Sequence, residues 1–524
     1  MKSITSKVVT LTTGLLMLGA SGCTDPTVNP VSTIGEANVF NDIGSYRSFL
    51  AKIYAGLALT GQQGPAGDRD IFSITDEGFS DYMRLYWEVQ ELPTDEAAIA
   101  WGDQGLPELN TMSWGSNNRF IAGMFSRIYF QISLADDYLD QTTDAKLAER
   151  RLPGPLQAQV HTYRAEARFL RALSYWHGLD LIGPIPLVLH VSTTPPQAAT
   201  RQEVYDFIVS ELTDIIADLP AAAGSSTYAR ATKEAALMLL AHVYMQAEVY
   251  TGTPHYDLAL AALQQVIAGP FSLDPSYAHL FQADNNTSPE IIFPIAYDGL
   301  HTQGYGGMTF LQHASCGNQM DPNTYGIDGC WWGIRLRPET YNRFTAGDLR
   351  AASFFTTGQT VAMNSLSDFA QGIAAPKFSN KTSTGANGSN PAFADSDFPV
   401  FRLADAYLLY AEAVVRLNDA ADRPTALGYV NAIRERAFGN TTQDITDPEL
   451  TLALILDERN RELYWECYRR QDLIRFGLFS GGTYLWTWKG GVLAGQATDS
   501  HLDVYPVPAT QIAANPNLQQ NPGY

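Results

Sequence analysis

Apolar residues recur every three or four positions along most of this chain, in segments that come in pairs, and this constrains the fold more than any other feature. Leu156, Val160, Tyr163, Ala167, Leu170 and Leu173 mark one face of a long helix. Val204, Ile208, Leu212, Ile215 and Leu219 repeat the pattern and stop at Pro220. Ala236, Leu240, Val243 and Ala247 face Tyr256, Leu260, Leu263 and Ile267 across a short Gly/Pro turn. Leu403, Tyr407, Tyr410, Val414 and Leu417 precede Ala426, Val430, Ile433 and Ala437, with Pro424 acceptable in a first helical turn. Asp447-Pro448 reads as an N-cap and first position of a helix running through Arg459 towards Tyr468. Earlier helices are expected near Ile43–Leu57 and Phe120–Leu139. Each hairpin alone leaves an apolar face uncovered, so the hairpins must stack. The fold class is therefore mainly α: a tetratricopeptide-like helical hairpin scaffold without the strict repeat consensus.

Two stretches break the period, about 62–118 and 298–398. They are rich in Gly, Asp, Asn and Trp, and include Gly304-Tyr-Gly-Gly307, Asp321-Pro-Asn-Thr-Tyr-Gly326 and a Ser/Gly/Asn-rich run from Thr382 to Asn390. Irregular segments of this length are usually functional, so they are expected to form a loop-rich, ligand-binding lobe. Aromatic residues make up 11% of the chain, and most must lie in the core. Tyr86, Trp87, Trp101, Trp114, Tyr305, Trp331 and Trp332, however, fall in the predicted loops. A flat ring stacks on the apolar C–H face of a sugar, and amides or guanidinium groups bond its hydroxyl edge. Asn117, Asn118, Asn318, Gln319 and Arg335 are placed in sequence to supply that edge. Any one of these rings has a plain alternative as a plug fixing a loop to the scaffold. The set as a whole is expected to include a ligand-binding surface.

With 55 acidic against 34 basic residues the formal charge is −21, which disfavours nucleic acid and anionic lipid as partners. No His-Glu-x-x-His zinc helix, Gly-x-Ser-x-Gly elbow or Walker loop is present. Gly304-Tyr-Gly-Gly307 lacks a following helix signal, which weakens a dinucleotide reading. Asp76-Glu77 and Asp95-Glu96 are adjacent acids of the kind a glycoside hydrolase needs, but neighbours in sequence do not share a face, and turn or solvated roles are expected. No catalytic residue, metal or cofactor is assigned; the Asp/Asn-rich loops lack EF-hand spacing for calcium. Cys316 and Cys330 are close enough in sequence to pair, and spacing leaves open whether they do. Cys467 falls in a helical pattern and reads as a buried apolar side chain.

The amino terminus sets the compartment. Lys2 and Lys7 precede an apolar stretch, Val8 to Ala20, of about 13 residues, whereas a membrane-spanning helix needs ~20. Ala20, Ser21 and Gly22 then lead to Cys23, an order that resembles a lipoprotein signal in which the cysteine is acylated, although Ala20 stands where leucine is usual. Residues 1–22 are expected to be the leader, Cys23 the lipidation site, 23–35 a polar, proline-bearing tether, and 36–524 the folded body.

Five ordered motifs give the body a family resemblance. Tyr163-Arg-Ala-Glu-Ala-Arg-Phe-Leu-Arg-Ala-Leu-Ser-Tyr-Trp176 with Leu181-Ile-Gly-Pro-Ile-Pro-Leu-Val188 resembles the signature helix and turn of the SusD/RagB family. So do Phe398-Pro-Val-Phe-Arg-Leu-Ala-Asp-Ala-Tyr-Leu-Leu-Tyr-Ala-Glu-Ala413, Asn431-Ala-Ile-Arg-Glu-Arg-Ala437, and Leu456-Asp-Glu-Arg-Asn-Arg-Glu-Leu-Tyr-Trp-Glu466 with Arg469-Arg-Gln-Asp-Leu-Ile-Arg-Phe-Gly477. The ending, Tyr505-Pro-Val-Pro508 and Asn515-Pro-Asn-Leu-Gln-Gln-Asn-Pro-Gly-Tyr524, fits as well. The resemblance implies a non-enzymatic outer-membrane lipoprotein, exposed at the cell surface. Such a protein binds an oligo- or polysaccharide and delivers it to a SusC-like TonB-dependent transporter. A peptide-capturing lid of the same type is the alternative, and a surface glycoside hydrolase a distant third. Arg168, Glu166, Arg402, Asp405, Glu412, Arg459, Glu462 and Asp472 within the motifs are expected to be buried pairs and helix-to-helix bonds, not ligand contacts.

Overall fold

The computed structural model describes Phe40, residues 42–67 and residues 69–524; the expected leader, Cys23 and the 23–35 tether lie outside the described residues. Among the described residues, the helices of seven residues or more are α1 (Ile43–Ala55), α2 (Tyr82–Glu91), α3 (Arg119–Gln141), α4 (Gly154–Leu181), α5 (Arg201–Ile215) and α6 (Lys233–Met245), followed by α7 (Tyr256–Ile267), α8 (Gly307–Ala314), α9 (Leu403–Leu417), α10 (Arg423–Phe438), α11 (Leu452–Leu463) and α12 (Arg469–Arg475). The periodic residues face inward as expected: Val160, Ala167, Leu173, Ile208, Leu212, Val243, Leu263, Val430 and Ile433 are all buried.

Helices pack in sequence order. α3 lies on α4, α4 on α5, α5 on α6, α6 on α7, α7 on α9 and α9 on α10, so each covers the apolar stripe its neighbour leaves open. Local signals set the ends. Thr200 and Glu203 form a capping box at α5, Thr232 caps α6, and a proline sits in the first turn of α10. The cap expected at Asp447 is displaced. Thr446 and Glu449 box in a single 3-10 turn (Asp447–Glu449), Leu450 leaves the helical region, and α11 starts only after a second cap, Thr451. α11 also stops at Leu463, because Trp465 and Cys467 take positive φ before α12. Cys467 is buried as expected, but in this turn and not in a helix.

The motif charges are spent inside the scaffold. Arg402 bonds Glu290, Glu462 and Glu466; Arg459 bridges Asp405 and Asp472; Arg475 holds Glu412 and Asp472. Glu166 takes Arg230 and the Tyr54 hydroxyl, and Arg168 reaches Glu211. With every charge partnered, breaking one of these pairs would leave its mate buried alone, a cost of about 3–5 kcal/mol.

Both stretches expected to be irregular contain regular structure. Residues 62–118 hold α2, strand β1 (Ala97–Ile99) and a short helix (Leu106–Thr111). In chain order, β2 (Ile185–Pro186) and β3 (Ala198–Ala199) form a small ribbon, and β4 (Ile291–Ile295), β5 (Ile334–Leu336), β6 (Phe355–Thr360), β7 (Gly372–Ala374) and β8 (Phe398–Arg402) follow. β4 and β8 pair antiparallel, Ile295 opposite Phe398, and close the base from which 298–398 springs. A four-stranded sheet in the order β1-β5-β7-β6 then joins the two stretches into one lobe. Every residue of α2 and of α8 is buried, so the polar side chains of α2, Arg84, Glu88, Gln90 and Glu91, lie inside the protein.

Candidate ligand-binding site

Strand register brings two of the expected rings together. Ile99 of β1 pairs with Ile334 of β5, so the chain two residues beyond β1 runs beside the chain three residues before β5. The Ala100 N–H donates to the Gly333 carbonyl at 2.9 Å, and the Trp101 indole N–H to the Trp331 carbonyl at 3.0 Å. Gly333 permits this: a Cβ there would stand 2.9 Å from the Trp101 ring. Trp101 and Trp331 are half-buried.

Tyr305 enters from a third segment, the loop before α8. Its N–H donates to Glu77 at 3.1 Å, and its backbone packs so closely on Gly78 that a side chain there would clash. The ring lies 6.4 Å from Trp331 and 5.6 Å from Phe393, and it is 41% exposed. The far end of α8 supports Trp331: its N–H donates to the His313 carbonyl at 2.8 Å, and the imidazole stacks on the indole at 4.6 Å. Burial holds the His313 pKa below its usual value, so at neutral pH a neutral ring backs the indole. Arg84 of α2 stands 5.4 Å from Trp101 and 4.2 Å from Phe310, with Glu88 bonded to it at 3.0 Å. Burial raises the Glu88 pKa to about 7 against the pull of Arg84. Arg84 and His313 are not among the expected site residues: they sit on short, fully buried helices inside the stretches expected to be loops.

Other candidates lie elsewhere. Tyr86 and Trp87 are in α2, not a loop: Tyr86 stacks on His177 at 3.9 Å, and the Trp87 indole donates to the Trp465 carbonyl at 3.2 Å. Trp114 is buried against Tyr505 and donates to the Tyr524 hydroxyl at 2.8 Å, pinning the carboxyl-terminal segment. Arg335 is fully buried on β5, where its guanidinium donates to the carbonyls of Gly333, Leu366, Asp368 and Gln371. These four side chains hold the lobe together and present no open face. Asn117 is exposed in the turn before α3, while Asn118 caps that helix through the N–H groups of Phe120 and Ile121. Asn318, at positive φ, donates to the Gly358 carbonyl at 2.8 Å. Trp332 is 53% exposed and turns to a different ring, Phe369, at 6.4 Å. Cys316 and Cys330 are disulfide-bonded immediately before Trp331.

The acidic neighbours also differ from expectation. Asp76 is exposed and caps Phe79, but Glu77 is buried under Tyr305. Asp95 and Glu96 are buried too, Asp95 clamped by Arg469 and Arg343, Glu96 accepting from Asn460 and the Trp465 N–H. A helix, α8, does follow Gly304-Tyr-Gly-Gly307. Gly306, however, lies so close to Asp81 that a Cβ there would touch its carboxyl carbon, and a carboxyl group at that helix start opposes a phosphate.

The SusD family profile matches residues 354–524, and a second profile, described as starch-binding and associating with the outer membrane, matches residues 84–245. Starch-binding protein SusD of Bacteroides thetaiotaomicron is 34% identical over 91% of this chain and 91% of its own. The chain belongs to the SusD family. A SusD-like protein, P2, of Formosa agariphila is 25% identical over 97% of this chain and 98% of its own. Among solved structures, a SusD superfamily protein of Bacteroides thetaiotaomicron superposes with a TM-score of 0.71 at 20% identity, covering 92% of this chain and 99% of that one. Surface glycan-binding protein A of the same species, solved with laminarihexaose, gives 0.69 at 20% identity, covering 91% and 99%. At such identities these two share the fold. Trp101 falls within a matched SusD-type segment, whereas Tyr305, Trp331 and Trp332 lie between the two profiles, where no profile match specifies the ligand surface.

Proposed function

We propose that this SusD-family chain is a non-catalytic glycan-binding protein of the outer membrane. Held by a lipid on Cys23, it captures an oligo- or polysaccharide and passes it to a SusC-like TonB-dependent transporter. One observation carries the reading: Trp101, Tyr305 and Trp331, from three segments far apart in sequence, come together in the lobe, with Tyr305 41% exposed and the two indoles half-buried. Tyr305 and Trp331, tilted 51° to each other, and Trp101, bonded to the Trp331 backbone, offer an apolar ledge on which successive sugar rings can stack. The names of the relatives support the ligand class, since the one 34% identical is a starch-binding protein. The absence of catalysis rests on kinship; of the adjacent acids read in the sequence, Asp95 and Glu96 are tied to arginine, asparagine and backbone. Localisation and the transporter partner rest on the Cys23 signal and the family.

Native affinity electrophoresis of residues 36–524 through gels containing starch, laminarin or other polysaccharides tests the binding. Retardation in at least one gel, abolished or much reduced in Trp331→Ala, is the expected result. Free migration in every gel contradicts the proposal, and release of reducing sugar would contradict its non-catalytic part.

A further inference from the structure

Trp332 has no part in the ledge, and core packing does not account for it. It is 53% exposed, and its φ is +58°, a left-handed conformation that a bulky residue rarely adopts. Several bonds impose that conformation. The neighbouring Cys330 is bonded to Cys316, the Trp332 N–H donates to the Cys316 carbonyl at 2.9 Å, and the Gly333 N–H donates to the Ala314 carbonyl at 2.8 Å. Glycine would meet the backbone demand without strain, yet the position holds the largest side chain, turned outward.

Its surroundings suit the edge and face of a sugar. Phe369 supports the indole at 6.4 Å and packs tightly on Gly317. Asn318 and Gln319, which follow Gly317 in the chain, crowd Gly358 of β6, where a Cβ would stand 3.0 and 2.6 Å from their nitrogens; Gln319 is exposed. Trp331 and Trp332 are consecutive, so the backbone that carries the ledge also carries this exposed ring.

We propose that Trp332, backed by Phe369 and edged by Asn318 and Gln319, is an additional sugar-stacking subsite that makes binding depend on glycan length. The inference rests on the proposed glycan-binding function and adds a second surface to it. It predicts that Trp332 acts on long oligosaccharides and Trp331 on long and short ones alike.

The test is calorimetric titration of the parent, Trp332→Gly, Trp332→Phe and Trp331→Ala with maltotriose and maltoheptaose, and with laminaritriose and laminarihexaose. Trp332→Gly is chosen because glycine accepts the positive φ, so the variant should fold; an unchanged thermal midpoint verifies this. Expected is a roughly three- to tenfold weaker Kd for the longer ligand in Trp332→Gly, no change for the trisaccharide, and partial recovery in Trp332→Phe. Equal affinity of parent and Trp332→Gly for both lengths, with Trp331→Ala impaired, overturns the subsite and leaves the proposed function standing. A parent that binds no member of either ladder, nor any polysaccharide in the gels, overturns both.

Discussion

At the residue scale, burial decides which of the expected side chains meet a ligand. Seven aromatic residues looked alike in sequence because all fell outside the helical period. Trp87 and Trp114 prove to be packing residues whose indole N–H groups have internal acceptors. Trp101 also bonds internally, but to the backbone of another ledge residue, and it stays only half-buried. Burial also sets the protons. Glu91 and Glu96 lie side by side, and both are held above the ordinary carboxyl range, first by desolvation; the charge of Glu96 adds to it at Glu91, and Glu96 reaches about 7. A carboxyl whose folded pKa is raised contributes stability that is complete below its unfolded value near 4.3 and lost as pH rises through the folded value. His177, lowered to about 3 by burial, acts in the opposite sense, its contribution being lost as pH falls below about 6.5. The difference between parent and variant separates the two. Glu91→Gln should gain thermal midpoint relative to the parent as pH goes from 5 to 8. A difference that stays constant or shrinks over that range would refute the shared-proton account.

At the element scale, the sequence was most legible where helices have one wet face. The bounds of α7 and α9 match their periodic residues, and the first-turn proline of α10 lies where expected. α2 and α8 are only ten and eight residues long and stand inside Gly- and Asp-rich stretches, so in sequence they merge with the loops around them. The pattern hid β1, β5 and β7 because three-residue strands are too short to show alternation. Those hidden elements build the ledge, so the sequence named its rings without showing how they meet. The Cys316–Cys330 bond closes a loop that ends against Trp331, with a sequence separation of 14. Loops of this size are worth roughly 3 kcal/mol when cross-linked. Replacing both cysteines by serine should lower the thermal midpoint measured by circular dichroism and weaken glycan affinity together. Unchanged affinity in a destabilised variant would separate the bond from the ledge.

At the scale of the whole molecule, the scaffold and the lobe divide the work. The helical array carries the family motifs, and its buried arginine–carboxylate pairs link α9, α11, α12 and β8. The lobe is stitched to it by the β4–β8 ribbon and by α2, which packs on α3, α8 and α12. A stiff support of this kind keeps the rings preorganised, so little ordering entropy opposes binding. On the proposed reading, fixed rings would select by the shape of the glycan and not by its charge, which accords with the chain's net charge of −21 and with an uncharged ligand.

The ledge itself is the central claim, and titration calorimetry of residues 36–524 with the polysaccharide that retards them most tests it directly. Trp101→Ala, Tyr305→Ala and Trp331→Ala should each weaken binding by about 1–3 kcal/mol with thermal midpoints near the parent's. Parent-like affinity in all three folded variants would contradict the account.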